Sequence, residues 1–210
     1  MNKQTNRHAI IASAILLFSF WGVFLSCLFS GCGGKTPCMV IPDYAGKGIR
    51  TIAVLPVHDE AGCTEASVLI RDKVLKGLYF KGYKKVEIKN MDEKLKAVYP
   101  SKLMERTDQI PPVPVGELLG VDAVMYITLT EFNTKTQMIY APTSMAAGFE
   151  LRSARTGITL WKTSYRAVER NYDFTDRLLE MKRIIIFETI IQEVVDKVIN
   201  TLPEGPETGT

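Results

Sequence analysis

Few side chains in this 210-residue sequence suit covalent or metal chemistry. They are four cysteines and two histidines. Nucleophilic catalysis of the Ser/His/Asp or Cys/His kind needs a histidine base oriented by a third group. Beyond the first thirty residues only His58, in His58-Asp59-Glu60, is left for that role. A loop histidine beside two acids reads as a solvated surface residue. Asp59 and Glu60 offer oxygens to a hard cation, yet no Asp-rich calcium loop follows them. There is no phosphate-binding glycine loop and no GxGxxG on a strand-to-helix turn. Glu60, Glu131 and Glu150 are single acids at strand ends or faces, and nothing in the sequence pairs them. The expectation is a non-enzymatic protein with no catalytic residue, no metal and no cofactor beyond any covalent lipid.

Cys32 carries the most specific signal. Met1 to His8 holds Lys3 and Arg7 and no acid, and Ala9 to Ser30 is a run of 22 uncharged residues, 17 of them apolar. A basic start, an apolar stretch and a small-residue cleavage site describe an export signal. The ending Phe29-Ser30-Gly31-Cys32 resembles the lipobox of bacterial lipoproteins. That resemblance implies cleavage between Gly31 and Cys32, a diacylglycerol on the Cys32 thiol and acylation of the new amino terminus. Two or more acyl chains hold a protein firmly to a bilayer, whereas one does so only marginally. Gly33 directly after the cysteine favours the outer membrane by the same resemblance, on its periplasmic face or at the cell surface. The alternative is an uncleaved signal anchor, since the run is long enough to span a bilayer. Phe24-Leu25-Ser26-Cys27 is a second candidate lipobox and fits less well. In either reading Lys3 and Arg7 keep the start in the cytoplasm and the rest is exported.

Cys38 and Cys63 bracket the first expected strand. In an exported protein they could close a loop of about 25 residues, worth about 3 kcal/mol on the chain-entropy estimate. Two free thiols, or an intermolecular bond, are the alternatives.

Composition narrows the partners. The whole chain has 26 Lys and Arg against 23 Asp and Glu. Without Lys3 and Arg7 the exported part carries 24 against 23, or +1. So small a net charge gives no field for nucleic acid. The expected partners are the membrane, through the lipid, and other envelope proteins or lipoproteins, with a second copy of the chain as a further option.

The elements that would position these residues follow from pattern. Residues 1–31 are the signal, 32–49 (rich in Gly and Pro) a tether, 50–202 a single domain and 203–210 a mobile tail. Thr51 to Val57 is a buried strand. A helix follows from Thr64 to about Phe80, with Val68, Leu69, Val74, Leu75 and Leu78 inward. Lys85 to Ile88 reads as a second strand. Asn90 and Glu93 have capping-box spacing for a helix that Pro100 stops. A brief helix lies around Glu117 to Leu119, before a central strand over Ala123 to Leu129. Alternation in Ala147 to Arg152, the turn Ala154 to Gly157 and a strand from Ile158 to Val168 make a hairpin with Trp161 and Tyr165 on one side. Those two aromatics pack on the sheet or form a binding surface. Phe187, Ile190, Ile191, Val194, Val195, Val198 and Leu202 stripe a long final helix. The fold class expected is α/β (α+β): a mixed sheet with helices packed on it.

Three stations in the chain resemble one family. They are Ile52-Ala-Val-Leu-Pro-Val57 leading to a helix, Gly120-Val-Asp-Ala-Val124 opening a strand, and Arg155-Thr-Gly157 followed by Leu160-Trp161. They are similar to a group of bacterial lipoproteins of unknown function that includes a meningococcal surface antigen. The group is related more distantly to the TolB amino-terminal domain and to CsgG. The resemblance covers roughly residues 50 to 202 and includes no catalytic residue. It implies that Gly120 releases the chain from a helix, that Asp122 sits where the strand begins, and that Gly157 takes a positive φ. It further implies a periplasmic domain making protein contacts in envelope assembly or transport. CsgG forms a channel from long amphipathic hairpins, which Phe132 to Ser144 is too short and polar to supply, so an accessory role fits better. Activation of a periplasmic cell-wall enzyme is the rival function, and a His58-based hydrolase or metal enzyme a distant third.

Overall fold

The computed structural model describes residues 36–101, 106–134, 140–172 and 176–206. The expected signal, with the expected cleavage and lipidation residues Gly31 and Cys32, lies outside these residues. Among those described, no helix is long and apolar enough to cross a membrane.

Among the described residues six strands form one mixed sheet. They are β1 (Cys38–Val40), β2 (Ile52–Val54), β3 (His58–Asp59), β4 (Ala123–Thr134), β5 (Tyr140–Ser153) and β6 (Thr159–Tyr172). The order is β1-β6-β5-β4-β2, with β3 continuing the β2 side of β4. The β2–β4 and β3–β4 pairs are parallel, and β4–β5–β6–β1 is antiparallel. Among the described residues four α-helices cover the sheet: α1 (Thr64–Phe80), α2 (Ile88–Val98), α3 (Pro112–Leu119) and α4 (Asp176–Ile199). This is the mixed α+β class expected.

Residue parity on β4 divides the core. Met125, Ile127 and Leu129 face α1 and α4, while Val124 and Tyr126 face α2 and α3. Both sides of this strand are therefore apolar, which is why it reads as a continuous hydrophobic run. The final helix follows its stripe closely: Ile190, Ile191, Val194, Val195 and Val198 are all buried. In α1 the inward face is Ala66, Ile70, Val74 and Leu78, a strict i, i+4 row. Val68, expected inside, faces solvent.

Glycine marks the boundaries that need it. Gly120 ends α3 at φ 67° and Gly157 occupies the β5–β6 turn at φ 75°. Asp122 then fastens the chain. One of its carboxylate oxygens accepts the backbone N–H groups of Arg50 and Thr51, each at 3.0 Å.

Five expectations are corrected. Lys85 to Ile88 is not a strand: only Lys84 bridges to Thr51, and the chain turns into α2 at Ile88. The docking of Met91 and Leu95, with Asp92 on Arg71, sets that first turn in place of the Asn90–Glu93 cap. The brief helix before β4 starts five residues earlier, at Pro112. The tether assigned to 32–49 is part of the fold from Thr36, because β1 pairs with β6 and Tyr44 and Ile49 are buried. The tail assigned to 203–210 is held at its start. The Gly205 N–H donates to the Lys81 carbonyl at 2.6 Å, the Tyr83 hydroxyl to the Pro203 carbonyl at 2.8 Å, and Lys81 pairs with Glu204. Residues 207–210 lie outside those described.

Candidate functional site

The chain comes into the fold at the outer edge of the sheet, only a few residues after Cys32. The Thr163 hydroxyl donates to the Pro37 carbonyl at 2.6 Å, and β1 then runs beside Trp161, Lys162 and Thr163 of β6. β1 is three residues long against fourteen in β6. Beyond Thr163 the outer side of β6 therefore has no strand partner among the described residues. Unpaired strand edges are templates for further pairing unless charge or twist blunts them. Here Arg166 and Arg170 alternate with Val168, which is 44% exposed.

Behind that edge the described residues leave the sheet face opposite α1 and α4 open. α2 and α3 cover only its β2–β4 half, so Ala146, Gly148, Ser164 and Thr128 are reached by solvent. Ion pairs organise this face. Arg166 makes two hydrogen bonds to Glu131, at 2.9 and 3.0 Å, and holds its carboxyl down at about 2, aided by the Ser144 hydroxyl. Burial pushes the Glu150 carboxyl up. The Arg152 and Thr159 hydrogen bonds, with Lys162 nearby, outweigh that and hold it at about 2. The Arg152 guanidinium also lies 4.6 Å over the Tyr126 ring. These are positioning interactions between carboxylates and fixed cations, and nothing in them resembles an acid–base pair poised near neutral pH.

The candidate reactive residues come out as follows. Cys38 is an exposed free thiol on β1, its sulfur 3.8 Å from the Thr201 carbonyl. Cys63 is a partly buried free thiol at the start of α1. The Cys38–Cys63 disulfide weighed from spacing is not formed. His58 sits on β3 with its Nε2 3.4 Å from Glu60. Asp59 is occupied by its own turn, accepting the N–H groups of Ala61 and Gly62. Among the described residues no group of three His, Cys, Asp or Glu is placed to hold a metal. Glu60, Glu131 and Glu150 are not brought together. Trp161 is fully buried under α4, its indole N–H donating to Thr201, and Tyr165 donates to Glu193. Both aromatics are packing residues.

Sequence reasoning missed two connectors. Arg71 donates from Nε and Nη2 to the Val54 carbonyl while gripping Asp92 bidentately, tying α1, β2 and α2 together. The buried Tyr44–Tyr83 hydroxyl pair, 2.8 Å apart, joins the segment after β1 to the carboxy-terminal clasp. Burial pushes both phenols above their ordinary range. Only the bulk of these side chains in polar sequence contexts hinted at either.

Comparison with known proteins places this geometry. The family model described as "Putative lipoprotein GNA1162-like" matches residues 43–205. A curated protein from Neisseria meningitidis serogroup B, "Putative lipoprotein NMB1124/NMB1162", is 26% identical over 119 residues, covering 51% of this chain and 52% of that protein. The chain thus spans about half the length of the curated relative. Among solved structures, lipoprotein GNA1162 from Neisseria meningitidis superposes with a TM-score of 0.52 at 24% identity, over 67% of this chain and 97% of that one. The PelC dodecamer from Paraburkholderia phytofirmans gives 0.51 at 12% identity, over 81% and 99%. These likenesses establish a shared fold. With its model matching well over half of the residues, the chain belongs to the GNA1162-like lipoprotein family.

Proposed function

We propose that this protein is an envelope lipoprotein, anchored through lipid on Cys32, whose domain acts by binding other proteins at the outer membrane. The observation that carries this reading is the junction between the lipobox and the sheet edge. Cys32 precedes Thr36, the first described residue, by four positions. Four residues span at most about 14 Å, so acylation would hold the β1 edge close to the bilayer. The open edge of β6 and the ion-paired face beside it offer backbone and side-chain groups to a partner. Self-association belongs to this reading too, since PelC, which shares the fold, is a dodecamer.

The test is metabolic labelling with an acyl probe in cells making the full chain. Wild type takes label in a globomycin-sensitive way and Cys32→Ala does not. A wild type without label, together with a variant still fixed in the membrane, would replace the lipid anchor with an uncleaved signal anchor. Size-exclusion chromatography with light scattering on the purified protein reads the assembly state, and a monomer at micromolar concentration would remove self-association.

A further inference from the structure

We propose that the groove beside the carboxy-terminal half of α1 docks an acidic segment of a partner protein, anchored by a large apolar side chain. The groove has a volume of about 730 Å³ and lies between α1 and the strand-less segment that leads into α2. Its floor and walls include Leu75, Val86 and Ile88. Tyr79 and Phe80 stand at its end, 59% and 81% exposed, with their rings edge to face at 5.9 Å. Two adjacent aromatics this bare on an otherwise ordinary helix are surface that folding does not use.

Charge decides what the groove accepts. Residues 71–96 carry nine Lys and Arg against four Asp and Glu, while the remainder of the exported chain carries 15 against 19. The groove lining itself holds Lys76, Lys85 and Lys89 against Asp72 and Glu87, a small positive excess beside an apolar floor. Among the lining residues Lys76 is matched by Asp72 at 2.6 Å. Lys85 and Lys89, both exposed, flank Glu87 and have no ion pair among the described residues. An occupant needs carboxylates for those ammonium groups and an apolar side chain for the floor, which is the chemistry of an acidic amphipathic peptide segment.

A lysine-and-aromatic surface also suits anionic lipid, and position separates the two. The choice of a protein over the bilayer rests on the anchored reading proposed above. The anchor joins the fold at β1, which runs antiparallel to β6, so Thr36 lies towards the far end of β6. The groove lies at the other edge, where Lys84 bridges to Thr51 at the start of β2. The two are diagonally opposed across the sheet order β1-β6-β5-β4-β2. A leash of at most about 14 Å on the β1 edge turns the groove away from the membrane that holds it.

The test uses the purified full chain in detergent micelles and a fluorescent peptide of alternating Glu and Leu with one Trp, read by anisotropy. The peptide binds with an affinity that weakens as salt rises. Lys85→Glu/Lys89→Glu weakens it at least tenfold and Phe80→Ser at least fivefold, with urea midpoints unchanged. The same peptide with Lys for Glu does not bind. Equal binding of the two peptides, or full binding by the variants, would overturn the proposal. In vesicles containing phosphatidylglycerol, a fluorescent amino acid at position 80 stays unquenched by spin-labelled lipid. Quenching there would mean that the groove meets the bilayer, which also overturns it. Acyl label on Cys32 is scored in the same preparations, so a failed anchor with intact peptide binding removes the anchored reading and leaves the groove.

Discussion

Asp122→Ala is the most informative single change outside the groove. One Asp122 oxygen accepts two backbone N–H groups, from Arg50 and Thr51, each at 3.0 Å, where β2 begins beside β4. The Asp122 N–H donates in turn to the Thr51 carbonyl, also at 3.0 Å. Hydrogen bonds to a charged acceptor contribute about 1.5–3 kcal/mol each. The side chain is 26% exposed, so water replaces part of what is lost. The Arg155 contact, 3.9 Å long on a mostly exposed arginine, adds little. The expected loss is about 2–3 kcal/mol, which for a domain of this size lowers Tm by about 5–10 °C. Asp122→Asn keeps an oxygen in place without the charge and costs about 1 kcal/mol. Urea unfolding followed by far-ultraviolet circular dichroism measures both. An alanine variant within 0.5 kcal/mol of wild type, or an asparagine variant as damaged as the alanine one, would refute the reasoning.

Gly116→Ala drives a methyl group into the Ala154 Cβ and within 3.2 Å of the Ala154 backbone. The urea midpoint should fall by the equivalent of about 1–3 kcal/mol, the usual cost of overpacking. Glu150 has its folded-state pKa lowered from 4.5 to about 2. The stability it contributes is therefore full above about pH 4.5 and lost as pH falls towards 2. The gap in stability between wild type and Glu150→Gln should be open at pH 6 and close over that window in a series of urea titrations. Ellman's reagent, added without reductant, should find Cys38 quickly and Cys63 more slowly, in keeping with their exposures. A chain with no reactive thiol until it is reduced would show that both are held in disulfides, with each other or with another molecule.

Legibility in the sequence followed the range of the interactions involved. Ile52 to Val54, Ala123 to Leu129 and the stripe of α4 were readable because burial against neighbours imposes a local period. Gly120 and Gly157 were readable because a positive φ restricts residue type at one position. Val68 was misplaced because the α1 stripe is nearly symmetric: Leu69 and Leu75 are only partly buried, and the partner α4, not the period, picks the Ala66-Ile70-Val74-Leu78 row. Lys85 to Ile88 failed for a related reason. Its branched residues fit a strand, but beyond β2 only the Lys84–Thr51 bridge forms, and Arg71 claims Asp92 from across the fold. The open β6 edge and the groove were illegible, since each is defined by what the topology leaves uncovered.

The misread linker bears most on function. Gly46, Gly48, Pro37 and Pro42 suggested a flexible leash of some eighteen residues, whose root-mean-square span would be about 23 Å. Instead Gly48 ends a short 3-10 turn at φ 61°, and Tyr44 beside it is buried against Tyr83. Glycine and proline here specify turns at the foot of the sheet, which composition alone cannot distinguish from disorder. An eighteen-residue leash would let every face of the domain sample both membrane and periplasm. If Cys32 carries the proposed lipid, the three residues between it and Thr36 leave orientation to be set by where the chain joins the sheet. On the anchored reading proposed above, the β1 edge stays near the bilayer and the far edge, with its lysine-flanked apolar groove, faces away from it. On that reading the length of the junction decides which surfaces the domain presents to its surroundings.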